Sequence, residues 1–297
     1  ILPILVEGLR RLEYRGYDSA GIAFKKNRTI SITKNKGRVN QLAKKLNLKK
    51  NQSKLGIAHT RWATHGIPSE KNAHPHASKN IFVVHNGIIE NHNDLKSQLK
   101  AEGIKFATQT DTEVIAHLIR TYTEKGQSFE KAVFSTIKKL KGAYALGIID
   151  KTDPEQVIGV RNQSPLVLGR GFQENFIASD VMALAPVTNK FVYLDDGQIA
   201  LLNRHKAVVK NTSNQTVRVK THEVDSNAYT SDMGGYNHFM EKEIFEQPAA
   251  VKGSIEGRLT KNETQEGIFG AGFEDVVKNI TNIQIVACGT SFHSARI

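Results

Sequence analysis

Apolar residues recur along this chain at two spacings, and each spacing predicts its own kind of element. Leu2, Leu5, Leu9 and Leu12 fall at helical intervals, and Gly16 can end the helix they predict. Ser19 to Phe24 and Thr29 to Thr33 read as a hairpin turning around Lys25 to Arg28. Val39 to Leu46 has the pattern of a short amphipathic helix. Leu55 to His59 and Ile81 to His85 are apolar runs between polar loops, which predicts strands. The long loop joining them contains Gly66, Pro68 and Pro75, and long ordered loops often carry function. Helices are predicted over about Asn93 to Ala101, Asp111 to Thr123 and Phe129 to Leu140. Thr110 and Glu113 have the spacing of a capping box at the start of the second. From Ala143 the pattern predicts strands at Tyr144–Ile149, Gln156–Val160, Leu166–Leu168 and Phe176–Ala178. Two more, Phe191–Leu194 and Gln198–Leu202, are joined by an Asp196-Gly197 turn.

Strands, then helices, then strands predict an α+β domain over residues 1–226. Residues 227–239, with Gly234-Gly235 and little apolar periodicity, read as a linker. Residues 240–297 read as the beginning of an α/β domain. A helix from Phe239 to Leu259 precedes a buried strand, Ile283 to Ala287, which runs into Gly289-Thr290-Ser291. A strand, a small-residue turn and a helix start can hold phosphate through free N–H groups.

The composition fits a soluble globular protein, and no apolar run reaches the ~18 to 20 residues that cross a bilayer. The start, Ile1-Leu2-Pro3-Ile4-Leu5-Val6, lacks the basic segment and small-residue cleavage site of a signal peptide. One cysteine, Cys288, leaves no intramolecular disulfide and favours a reducing, cytoplasmic setting. The formal charge is +12, but the lysines are scattered and not interleaved with aromatics, so a nucleic-acid partner is not expected. The chain begins at Ile1 inside a predicted helix and stops at Ile297 just after a strand and turn. It reads as a piece of something longer.

Several segments gather reactive groups. His59, His65, His74, His76, His85 and His92 crowd one third of the domain. A metal site would add carboxylates or cysteines at supporting spacing, and the loop offers only Glu70, so no metal is expected. Arg61-Trp62-Ala63-Thr64-His65-Gly66 follows a strand end. Its guanidinium suits a carboxylate, or it is an exposed Arg beside a half-buried Trp. In His85-Asn86-Gly87 the Asn side chain and the Gly N–H could form an oxyanion hole, or the pair is an ordinary turn. Asp111 either favours a helix N-terminus or holds an ammonium. Cys288 could be a nucleophile, with His293 nearby, or a buried apolar residue.

The run Arg11-Leu12-Glu13-Tyr14-Arg15-Gly16-Tyr17-Asp18-Ser19-Ala20-Gly21 resembles the signature of the glutamine–fructose-6-phosphate aminotransferases. His59 to Gly66, Asn72 to His76, Val84 to Asn91, Thr110 to Ile115 and Cys288 to Ser291 resemble the family in the same order. The resemblance implies an N-terminal-nucleophile fold, an αββα sandwich, followed by the start of a sugar-isomerase domain. It implies that Arg61 binds glutamine's α-carboxylate, Asp111 its α-amine, and that Thr64 and His65 belong to the loop closing over it. Asn86 and Gly87 match the oxyanion hole, Trp62 the gate of an ammonia channel, and Thr290 and Ser291 the start of a sugar-phosphate site. Glutamine and fructose 6-phosphate are the implied partners, with a homodimer for the whole enzyme and no cofactor. In that family the nucleophile is an N-terminal cysteine on a Gly-rich first strand. Ile1 aligns just after that strand, so residues 1–297 alone are expected to lack glutaminase activity. The other reading is a catalytically dead module that binds an amino acid or a partner.

Overall fold

The computed structural model describes residues 1–48, 53–63, 65–224, 235–256, 273–287 and 289–297. The chain divides into two compact units, Ile1–Thr230 and Ser231–Ile297.

In the first unit, Leu2, Val6 and Leu9 bury one stripe of helix α1 (Leu2–Leu12). Strands β1 (Ser19–Lys26) and β2 (Thr29–Lys36) form the expected hairpin, with Asn27 at φ 55° in its turn. Helix α2 (Val39–Lys45) follows, then β3 (Gly56–Arg61), β4 (His76–Ser78) and β5 (Ile81–Gly87). Three helices come next: α3 (His92–Ala101), α4 (Glu113–Glu124) and α5 (Phe129–Ile137). Ser128 caps α5 by accepting the N–H of Lys131. The remaining strands are β6 (Tyr144–Asp150), β7 (Asp153–Asn162), β8 (Val167–Gly171), β9 (Glu174–Ala178), β10 (Lys190–Tyr193), β11 (Ile199–Leu202), β12 (Ala207–Lys210) and β13 (His222–Glu223).

These strands make three sheets, ordered β2-β1-β3, β13-β10-β8-β9 and β12-β11-β7-β6-β5-β4. The six-stranded sheet has apolar residues on both faces. Ile148, Leu146 and Val83 join α3, α4 and α5 in one core. Phe82 and Ile149 meet Ala23 and Ile57 of the three-stranded sheet in another. Burial from both sides explains why β6 is buried along its whole length. Truncating the fully buried Ile148 to Ala should cost ~2 to 5 kcal/mol. On the outer face, α1 and α2 pack on β1, and the start of α1 also reaches the core of the four-stranded sheet. The layers are therefore helices, sheet, sheet, helices, with one sheet layer divided in two. Strands β3 and β9 are the edges that flank the division.

Two sequence expectations fail here for physical reasons. Asp196-Gly197 does not close a hairpin: β10 and β11 belong to different sheets, and the turn carries the chain from one to the other. The capping box is not made either. Glu113 turns back to accept the N–H groups of Ala107 and Thr108, and the Thr110 hydroxyl faces His76 Nε2.

The second unit contains helices α6 (Phe239–Ile255), α7 (Phe273–Lys278) and α8 (Gly289–Ala295). The strand expected at Ile283–Ala287 is absent, and Ile283, Ile285 and Val286 are exposed. A strand needs a neighbour for its ladder, and the described residues of this unit offer none. Among the described residues, no helix is long and apolar enough to cross a membrane.

Candidate active site

A cleft of about 1190 Å³ opens between the sheets of the first unit. The ends of β3 and β5 and the loop before α4 meet along it. They bring Arg61, Trp62, His65, Asn86, Gly87 and Asp111 to its lining.

Arg61 is buried, 4% exposed, while Trp62 beside it is 71% exposed. The reverse, an exposed Arg with a half-buried Trp, was one sequence reading. The guanidinium donates to the carbonyls of His65, Gly66 and Ile67, so the strand end holds the following loop in a curl. Asp18 Oδ1 lies 3.9 Å from Arg61 Nη1. Burial pulls Arg61 below its usual pKa, and the Asp18 and Asp111 carboxylates oppose that pull. Trp62 rests against Gly16, where a Cβ would come within 2.9 Å of the Trp62 Cβ.

Asn86 and Gly87 are the last residues of β5, paired with Ala145 and Tyr144, and not a turn. Gly87 has φ +134°, and an added Cβ would lie 2.0 Å from the Ala143 carbonyl oxygen. Only glycine fits a backbone so placed. Asp111 is buried and accepts the N–H of Ile89 at 2.8 Å. Its neighbour Thr112 meets His85 Nδ1 through Oγ1 at 2.9 Å.

The histidines form a packed cluster behind these groups. His59 stacks on His74 with ring centres 4.2 Å apart, and His76 meets His74 edge-on at 4.7 Å. Burial pushes His59 and His76 down to about 3 and His85 to about 4. Neutral imidazoles packed on one another make a polar core, which Asp111 borders with its Oδ2 3.9 Å from His85 Nδ1. Among the described residues, no group of three or more potential ligands could hold a metal. His65 stands apart, edge-on to His92 at 4.9 Å.

Thr64 and Cys288 lie outside the described residues, as does the Thr290 side chain. Ser291 is exposed in α8, in the second unit. Sequence reasoning missed two supporting residues. Asn72 donates to Ile67 O and Gln109 Oε1 and accepts from Gln109 N, tying the loop after Arg61 to the loop before Asp111. Asp18 sits in the recognised run, and only its spatial nearness to Arg61 gives it meaning.

The cleft also separates two sheet edges that have no partner strand among the described residues. Gly56 to Arg61 of β3 and Glu174 to Ala178 of β9 both line it. A Cβ on Gly147 of β6 would lie 3.5 Å from Ile177 and 3.8 Å from Ile57, so both edges cross above the same strand.

Layered helices and sheets, with polar groups gathered at the strand ends, make this first unit an N-terminal-nucleophile fold of the α+β class. Two solved structures share it. One is glutamine phosphoribosylpyrophosphate amidotransferase from B. subtilis, with a TM-score of 0.61 and 27% identity over 73% of this chain and 48% of that one. The other is an allosteric regulatory enzyme of purine biosynthesis, with a TM-score of 0.62 and 27% identity over 71% of this chain and 46% of that one. The chain belongs to the glutamine amidotransferase domain family, which matches residues 45–235. Its curated relatives include the isomerizing glutamine–fructose-6-phosphate aminotransferases of Shewanella oneidensis, 46% identical over 99% of this chain, and of Acinetobacter baylyi, 48% identical over 100% of it. The chain spans about half the length of these relatives, 48% of each.

Proposed function

We propose that this chain is the glutamine-hydrolysing part, with the start of the sugar domain, of an enzyme that makes glucosamine 6-phosphate and glutamate from glutamine and fructose 6-phosphate. The observation that carries the reading is the meeting of a buried guanidinium, a buried carboxylate and a strand-end Asn-Gly pair on one cleft. Arg61 takes the α-carboxylate of glutamine through two parallel hydrogen bonds, exchanging its loop carbonyls for substrate. Asp111 takes the α-ammonium. The Asn86 amide and the Gly87 N–H stabilise the oxyanion when a thiolate adds to the side-chain amide carbon. Ammonia leaves, and water then releases glutamate from the thioester. Thr64 and His65 belong to the loop that closes over glutamine, Trp62 gates the passage of ammonia, and Thr290 and Ser291 begin the sugar-phosphate site. The whole enzyme is a homodimer that works in the cytoplasm.

Cys288 is the only thiol in residues 1–297, and, following the family resemblance, we assign the nucleophile instead to an N-terminal cysteine of the parent enzyme. We place it at the N-terminus of a strand seated between β3 and β9. The apolar lining and the two edges of the cleft left unpaired by the described residues suit such a strand, which would join the divided layer into one sheet.

The test compares two proteins. Residues 1–297 alone should bind L-glutamine by calorimetry and release no ammonia. The parent enzyme, extended upstream to an N-terminal cysteine, should release glutamate and aminate fructose 6-phosphate. Ammonia release from 1–297 would refute the assignment of the nucleophile. An extended enzyme that binds glutamine without hydrolysing it would leave the amino-acid-binding module as the better reading.

A further inference from the structure

Strand β5 carries the Asn86–Gly87 pair but is supported on one side only where it does so. Its ladder with β6 runs from Ile81 to Gly87. On the other side β4 pairs with Ile81, Phe82 and Val83 and stops at His76. Beyond that point the N–H of His85 finds no strand. It donates instead to a side chain, His74 Nδ1, at 3.2 Å. The imidazole thus stands where the next residue of an edge strand would have supplied a carbonyl.

His74 is itself held from the opposite layer. Its ring stacks on His59, which lies in β3 close before Arg61. Its carbonyl crosses so close to β1 that a Cβ on Gly21 would lie 2.1 Å away. One buried residue therefore touches the strand bearing the guanidinium and the strand bearing the oxyanion donors. An Nδ1 that accepts an N–H must be unprotonated. Burial, with His59, His76, His85 and Arg61 nearby, holds this ring well below its usual pKa and keeps it neutral.

Resting on the function proposed above, we infer that His74 is a positioning residue. Its Nδ1 fixes the end of β5, and so sets the Asn86 and Gly87 donors at their working distance from Arg61. It touches no substrate in this role. A misplaced oxyanion donor loses much of the effect of a deleted one, which is ~10²- to 10³-fold in kcat.

Two variants separate the acceptor from mere bulk. His74→Asn places an oxygen where Nδ1 stood. His74→Phe keeps a flat ring and removes the acceptor. In the parent enzyme, His74→Phe should lower kcat for glutamine hydrolysis at least tenfold with KM for glutamine changed less than threefold. His74→Asn should recover most of that loss. Amination of the sugar with added ammonia should hold in both. Unchanged kcat in His74→Phe, or equal loss in both variants, overturns the inference.

A second measurement needs no activity and so is independent of the functional reading. In the 297-residue chain, His74→Phe should speed hydrogen exchange of the His85 amide at least tenfold, and His74→Asn should not. If the Phe variant does not fold, ¹⁵N spectra of the wild-type imidazoles decide. His74 should show the tautomer with hydrogen on Nε2 and a bare, hydrogen-bonded Nδ1 at neutral pH. The opposite tautomer, or an exchange rate unmoved by His74→Phe, overturns the inference whatever the enzyme assays show.

Discussion

Asp111 Oδ2 accepts the backbone N–H of Ile89 at 2.8 Å, which ties this buried carboxylate to the segment directly after Asn86–Gly87. One oxygen is thus spent on structure, and under the proposed function the charge also serves the glutamine ammonium. The two roles can be separated. Asp111→Asn keeps an oxygen for Ile89 and loses the charge. It should raise KM for glutamine in the parent enzyme by at least tenfold while leaving ammonia-dependent amination intact. Asp111→Ala should do the same and also destabilise the fold by ~1 to 3 kcal/mol, because a buried N–H loses its partner. Calorimetric unfolding and the two assays together check both expectations. A KM that does not move in Asp111→Asn would remove Asp111 from the substrate clamp.

Gly87 offers a sharper test of the strand end. At φ +134° a side chain is strained, and the Ala143 carbonyl oxygen occupies the space a Cβ would need. Gly87→Ala should therefore move β5 away from β6 just where the proposed oxyanion donor sits. Glutamine hydrolysis should fall ~10²-fold or more, the scale of losing one donor. Binding of glutamine to residues 1–297 should weaken far less, since the Arg61 and Asp111 contacts do not depend on that N–H. Hydrolysis that survives in the variant would show that the Gly87 N–H takes no part.

Under the function proposed above, Trp62 governs coupling and not hydrolysis. Trp62 is 71% exposed and leans on Gly16 at the rim of the cleft. Trp62→Ala should leave glutamine hydrolysis in the parent enzyme within a few-fold of wild type. The ratio of glucosamine 6-phosphate formed to glutamate released should drop well below one. Product counts from a single reaction give that ratio, and an unchanged ratio would count against the gate.

Much of this site could be read along the chain because its parts lie at strand ends, where short polar motifs interrupt apolar runs. Arg61 and Asn86–Gly87 are such interruptions. The helix spacing of α4 pointed to Asp111, although the capping box that drew attention to it is not formed. The recognised run Glu13 to Ser19 acquires a physical account only in three dimensions. Glu13 Oε1 accepts the N–H of Val39 at the start of α2, Asp18 lies beside Arg61, and Arg15 pairs with Asp180. Contacts between residues so far apart in the chain leave no periodicity behind. For the same reason the three-residue β4 and the division of one sheet layer into two were invisible. Strand order depends on partners, and apolar alternation does not name them.

The histidine cluster makes stability depend on pH in a definite direction. His76 and His85 are buried, with values near 3 and 4 in the folded chain against an ordinary 6.5, because burial disfavours the charged ring. His74 is displaced the same way. Once unfolded, these rings take up protons near pH 6.5, which the folded chain refuses until the pH is far lower. Stability is then full above pH 6.5 and falls as the pH drops from there toward 4. Each such ring contributes at most ~1.4 kcal/mol per pH unit. Glu113 adds to the loss only below its ordinary 4.5. Burial alone would raise it, but hydrogen bonds from His117, Ala107 and Thr108 hold it at about 2. Urea unfolding of the 297-residue chain, followed through the transition of its first unit, should therefore show an ~2 to 4 kcal/mol loss between pH 7.5 and 5.5. The fall should be shallower in His76→Gln, which cannot titrate. A midpoint that stays level across that window would mean that the imidazoles are hydrated or charged in the folded state, and the packed neutral cluster would have to be abandoned.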